Sequence, residues 1–255
     1  MGVRDLRGLV RHSADAPERR LGNDATAVRD VIGSSNGCQL FTLRTLRTVV
    51  GHGIARETGS AQELLFSVSG SGRVLTPDGE VELEEQAGLL VPAAQFYELI
   101  NEGPADLVVC AVSLHSPQGS VDRAALSRLA DARAQDATAA REFRIVFDPE
   151  NGCASATQFV GYIPVGAAPP HYHLYDEVIY VLEGEGVMHM GGEEMPLEAG
   201  TCIHLPAREV HTLANSGPGQ MQVLGVFRPA GSPAAAFYPD GTPAMVAGAE
   251  EAVTT

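Results

Sequence analysis

From Val28 onward the chain sets short runs of β-branched, leucine and aromatic residues between clusters of Gly, Pro, Asn and Asp. Apolar runs of strand length, punctuated this often by turn residues, predict an all-β sandwich or barrel. One stretch breaks the pattern. Residues 120–140 are rich in Ala, Leu and Arg, and Val121, Ala125, Leu129 and Ala132 fall on one helical face. With Ser120 as N-cap and Asp122 in the first turn, the spacing predicts a short helix lying outside a barrel. Residues 1–27 are arginine-rich and weakly periodic, which suits an arm or an edge strand. After Phe227 the chain turns Pro-, Gly- and Ala-rich; Phe237 and Tyr238 are its expected anchors, and the acidic last residues are expected to be disordered.

The strand pattern occurs twice. Asn36-Gly37-Cys38 returns as Asn151-Gly152-Cys153, and Glu63 with Gly70 returns as Glu177 with Gly184. Ala87-Gly88 returns as Ala199-Gly200, and Pro92, Tyr97 and Asn101 return as Pro206, His211 and Asn215. A repeat this long implies a duplicated architectural unit. The expected division is an arm over 1–27, a first barrel over 28–117, a helical linker over 118–141, a second barrel over 142–230 and a tail over 231–255.

The second copy carries the chemistry. His171, His173, Tyr175 and Glu177 have equal parity, so on a strand they share a face. Imidazoles and a carboxylate on one face suit a divalent transition metal, and His211 is the candidate for the remaining ligand. These residues resemble the cupins, whose first motif is G-x5-H-x-H-x3,4-E-x6-G and whose second is G-x5-P-x-G-x2-H-x3-N. His171, His173, Glu177 and Gly184 match the first, with Gly166 one residue nearer than usual. Gly200, Pro206, His211 and Asn215 match the second, with Arg208 in place of its middle glycine. The resemblance implies two tandem jelly-roll barrels joined by the linker, with one Fe, Mn, Ni, Co or Zn ion on His171, His173, Glu177 and His211. In the first copy the ligand positions read Glu57, Gly59, Glu63 and Tyr97, so that barrel is expected to have lost its metal and to act as scaffold.

Around the metal, Gln158, Tyr162, Met188, Met190 and Phe227 lie on strands expected to line the pocket. Arg208 is read either as a clamp for a substrate carboxylate or as a solvated loop residue. His189 and His204 stand either beside the metal as proton shuttles or outside the barrel. His12, His52 and His115 have no partners in the pattern.

A formal net charge of −15 argues against nucleic acid and against an anionic membrane surface. All 17 basic residues are arginine, which removes lysine Schiff-base chemistry. Cys38, Cys110, Cys153 and Cys202 show no C-x-x-C pairing and read as buried small hydrophobes. No stretch reads as a membrane span or a signal peptide, so cytoplasmic residence is the expectation. A small-molecule substrate is expected, on a monomer or homodimer. The resemblance implies first a dioxygenase-type oxidoreductase of the quercetin- and cysteine-dioxygenase kind. The alternatives are a non-redox isomerase, decarboxylase, lyase or aminohydrolase on a small carboxylate, and a binding or sensor barrel without catalysis.

Overall fold

The computed structural model describes residues 9–119 and 121–244; Ser120, the first eight residues of the arm and the acidic end lie outside them. Four antiparallel sheets make up the fold, with no α-helix among the described residues. No helix there is long and apolar enough to cross a membrane. In the first copy a seven-stranded sheet runs Glu18–Arg19, Thr26–Ile32, Phe41–Thr48, Leu107–Leu114, Gln62–Ser69, Ala87–Val91, Ala125–Arg128. A smaller sheet of Gly51–His52, Phe96–Asn101, Gly72–Thr76 and Gly79–Leu83 closes the barrel. The second copy repeats the plan. Its large sheet runs Val10–His12, Thr201–Leu205, Asp176–Glu183, Met221–Arg228, Thr157–Ile163, Glu142–Phe147, Ala134–Asp136. Its small sheet runs Gly166–Ala167, His211–Asn215, Glu185–Met190, Glu193–Glu198.

The two large sheets face each other, so their strands are buried on both sides and read as near-continuous apolar runs. In Asp176–Glu183, Val178 and Tyr180 join a core shared by both barrels, while Ile179 and Val181 join the interior of the second. Leu64 and Phe66 likewise face the shared core, and Leu65 faces the first barrel's interior. All four cysteines are free, buried and part of that shared core.

The linker is not helical. Ala125–Arg128 is a strand paired with Ala87–Val91, Leu129–Asp131 forms one 3-10 turn, and Ala134–Asp136 pairs with Glu142–Phe147. The helical stripe would have buried only Val121, Leu129 and two alanine methyl groups. As strands, the same residues satisfy open backbone edges on both large sheets, and sheet pairing overrides helix propensity. Ala125 packs on the shared core and Leu126 on the first barrel's core, the alternation of a strand. The arm is an edge strand too, but on the far barrel: Val10–His12 pairs with Thr201–Leu205.

Candidate metal centre

His171 and His211 meet through the backbone. His171 N donates to the His211 carbonyl at 3.0 Å and His211 N to the His171 carbonyl at 2.9 Å, an isolated antiparallel bridge. His173 follows Pro169-Pro170 in an irregular lead-in, before the Asp176–Glu183 strand begins. The shared strand face expected for these ligands is therefore replaced by a turn that brings them together. The Arg208 N–H holds this turn by donating to the His173 carbonyl at 2.7 Å. One ligating atom from each of His171, His173 and His211 lies within 4.8 Å of the others, and all three residues are buried.

Each imidazole is held by the same device. Nδ1 of His171 bonds the Pro169 carbonyl at 2.9 Å, that of His173 the Ala235 carbonyl at 2.8 Å, and that of His211 the Glu209 carbonyl at 2.9 Å. A carbonyl only accepts, so each Nδ1 carries the proton and each Nε2 keeps its lone pair for a ligand. Burial depresses all three basicities, with the histidines repelling one another at His173 and His211, and His173 falls to about 4. Neutral donors at pH 7 are the form a metal needs.

Glu177 lies in the same pocket but outside the tight three-histidine group. Among the described residues no donor is bonded to its carboxylate, and burial alone pushes its pKa up to about 8. An ideal Cβ on Gly225 would collide with the Phe159 ring and stand 2.8 Å from Glu177 Oε1, so glycine makes room for both. A buried carboxylate without a donor, beside three oriented imidazoles, fits a divalent cation. This donor set suits the transition metals named above.

The comparisons with known proteins agree with the geometry. The Cupin domain family model matches residues 158–227. The oxalate-binding protein of Thermotoga maritima is 36% identical over 51 residues, 20% of this chain and 42% of that protein. Auxin-binding protein 1 of Arabidopsis thaliana is 31% identical over 72 residues, 25% of this chain and 36% of that protein. The chain thus spans less than half the length of these two curated relatives. An oxalate decarboxylase of Bacillus subtilis shares the two-barrel fold with a TM-score of 0.72 at 14% identity, over 91% of this chain and 79% of that one. AerE of Microcystis aeruginosa does so with a TM-score of 0.71 at 15% identity, over 87% of this chain and 99% of that one. Residues 158–227 thus match the cupin domain, and the described chain shares its two-barrel fold with these neighbours.

Within the second barrel the residues expected around the metal separate sharply. Gln158 faces the shared core, fully buried and with neither amide atom bonded, not the pocket. Tyr162 has the same parity; it borders the pocket, but its ring packs on the shared core. Met188 and Met190 fill the barrel interior beneath the centre and do not line it. Phe227 stands behind the wall, its ring stacked on Tyr175 at 3.9 Å between centroids. Arg208 lies outside the lining of the three-histidine pocket and borders a different depression, beside His189 and Glu194. Its φ of 65° explains why the motif places glycine there. His189 points outward to Glu194 at 3.4 Å. His204 lies at the barrel interface, 3.5 Å from Asp176. Burial works against its charge, but Asp176 and Cys38 outweigh it and raise His204 to about 9.

Much of the pocket lining escaped the sequence reading, including apolar walls from Phe143, Phe159 and Val223. Arg141 lines the pocket from the end of the linker, and Pro233 and Ala236 line it from the tail. No spacing announces an arginine at a strand start. The tail crosses the mouth because Phe237 pairs with Tyr172 through two 2.9 Å backbone bonds and stacks on its ring at 5.6 Å. Phe237 is thus an anchor, and the strap it fixes carries the carbonyl that orients His173. Phe237→Ala should lower metal affinity by about tenfold, the scale of losing an outer-shell support. Competition against a chelating dye measures it; unchanged affinity would show that the backbone pair, without the ring stack, holds the strap in place.

The first barrel fills the corresponding positions differently. Tyr97, at the position of His211, donates to Glu63 Oε2 at 2.7 Å, while Ser113 at 2.7 Å and Arg44 at 2.9 Å donate to Oε1. Ser113 and Phe227 sit opposite the two glutamates in register, and Arg44 and Phe159 hold corresponding places. Glu57 is exposed, away from that cluster. Donors from the protein thus saturate one glutamate, and rings surround the other.

Proposed function

We propose that the second barrel is the active site of a metal-dependent enzyme acting on a small organic metabolite, with His171, His173, Glu177 and His211 holding one divalent transition-metal ion. The observation that carries this reading is the common tautomer: three separate carbonyls fix three Nδ1 protons and leave three lone pairs in one buried group. A bound ion would supply Lewis acidity, or a redox centre if it were iron or manganese. The protein's share is to keep the donors neutral, exclude water with apolar walls and hold charge next to the reacting group.

Two chemistries compete. The sequence resemblance leads with dioxygenase-type oxidation. The pocket favours the non-redox alternative, an isomerase, decarboxylase, lyase or aminohydrolase on a small carboxylate, because Arg141 puts a cationic group in the same wall as the imidazoles. The relative that binds oxalate and the decarboxylase of the same fold are consistent with a small anionic substrate. Elemental analysis of protein purified without chelator, paired with oxygen uptake over a metabolite panel, tests the reading. About one manganese, zinc, nickel or cobalt per chain with no oxygen uptake is the expected result. Iron with substrate-dependent oxygen consumption would restore the dioxygenase. No metal after reconstitution would overturn both enzymes and leave a binding barrel.

A further inference from the structure

Among the described residues, Arg141 is the one arginine in the wall of the three-histidine pocket. Its Nη2 donates to the Leu213 carbonyl at 2.5 Å, which ties it to the strand that begins at His211. That bond uses one of five N–H groups. Two carboxylates border the pocket, Glu142 and Glu177, and neither forms an ion pair with Arg141 among the described residues. Arg44 is paired with Glu63 and Asp30, and Arg56 with Asp24, whereas Arg144 and Arg228, which do not line this pocket, bond backbone carbonyls as Arg141 does. Burial alone, with no anion to offset it, pushes Arg141 down to about 10. An unpaired, desolvated guanidinium is costly, and it is tolerated where a ligand completes the pair.

We propose that Arg141 anchors the substrate, that the substrate class is a small carboxylate, and that its carboxylate docks on the guanidinium fork while its other end reaches the three-histidine centre. This deepens the metal-site reading given above and rests on it. The planar fork matches a carboxylate bidentately, which a point charge cannot do. The facing walls are apolar, with Phe143, Phe159, Ile179 and Val223 leaving no second cation for a distant acidic group. The anchor therefore selects short acids with one end free for the centre. Arg208, the arginine suggested by the motif, is replaced in this role by one from the linker.

Calorimetric titration of the full chain with pyruvate, oxalate, the neutral oxamide and inorganic phosphate tests this, with metal content measured on the same samples. The expected result is binding of at least one carboxylate and about tenfold or more weaker binding of oxamide. Arg141→Met should weaken carboxylate binding by about tenfold or more at unchanged metal content, with Arg141→Lys intermediate. Equal binding of oxalate and oxamide, absence of binding by both acids, or preference for phosphate would overturn the carboxylate class. Full affinity in Arg141→Met would overturn the anchor. If that variant does not fold, Arg141→Lys against the wild type gives the same decision. A wild-type chain without metal whose carboxylate affinity still falls in the variant would sink the metal reading and keep the anchor.

Discussion

His211→Ala will strip the protein of its divalent metal while both barrels stay folded. The side chain is one of three imidazoles whose ligating atoms lie within 4.8 Å of one another, and it comes from the small sheet while the other two come from the lead-in to the large one. Without it, two histidines and Glu177 remain on one side of the centre. The loss should exceed ~100-fold in metal affinity, the upper range for removing only an outer-shell partner. The fold should persist because the bridge between His171 and His211 runs through backbone atoms, which alanine keeps. Metal per chain by elemental analysis, with a melting curve on the same sample, makes the measurement. Undiminished stoichiometry would remove His211 from the site.

Arg44→Met will cost stability without touching the metal. Glu63 is buried, and its charge is held by Arg44, Ser113 and Tyr97. Taking away the only cation of that set leaves an uncompensated buried carboxylate, a loss of about 3 kcal/mol. For a chain of this size that is roughly 6–12 °C in melting temperature. Pairing the change with Glu63→Leu should recover much of the loss, because an apolar replacement of both partners leaves no orphaned charge. A melting temperature unchanged within a degree in Arg44→Met would mean that the hydroxyl donors suffice alone. Metal content should match the wild type, since the second barrel has its own glutamate.

The repeated motif mixes two kinds of residue, and the comparison of copies separates them. Asn101 and Asn215 do the same work: each bonds two carbonyls through Nδ2 and one backbone N–H through Oδ1, closing the turn after a strand. Such residues persist whether or not a metal is held, so the barrels and their duplication were legible from strand pattern and spacing. The three histidines were legible for the same reason, since their spacing is local. Pocket residues were not. Parity is fixed only once register is known: Gln158 fell on the wrong face of its strand, and Tyr162 reaches the pocket only at its border. Met188 and Met190 point inward, but they fill the core beneath the centre. Arg141 and the tail reach the mouth through tertiary folding, which no local pattern encodes. The linker misled because its helix propensity was weaker than the demand of two open sheet edges.

One of the edge strands is supplied from across the chain: residues 10–12 complete the second copy's sheet, while residues 125–128 complete the first copy's from just beyond it. On a ribosome the first barrel can close its edge soon after residue 128 has emerged. The opening strand, by contrast, has to wait, its backbone unpaired, until residue 203 arrives. A fragment ending after the first copy would thus carry an orphan strand at its front, and one beginning at the second copy would lack its last edge. The second copy can no longer complete its sheet by itself, because its outer strand is encoded ahead of the first copy.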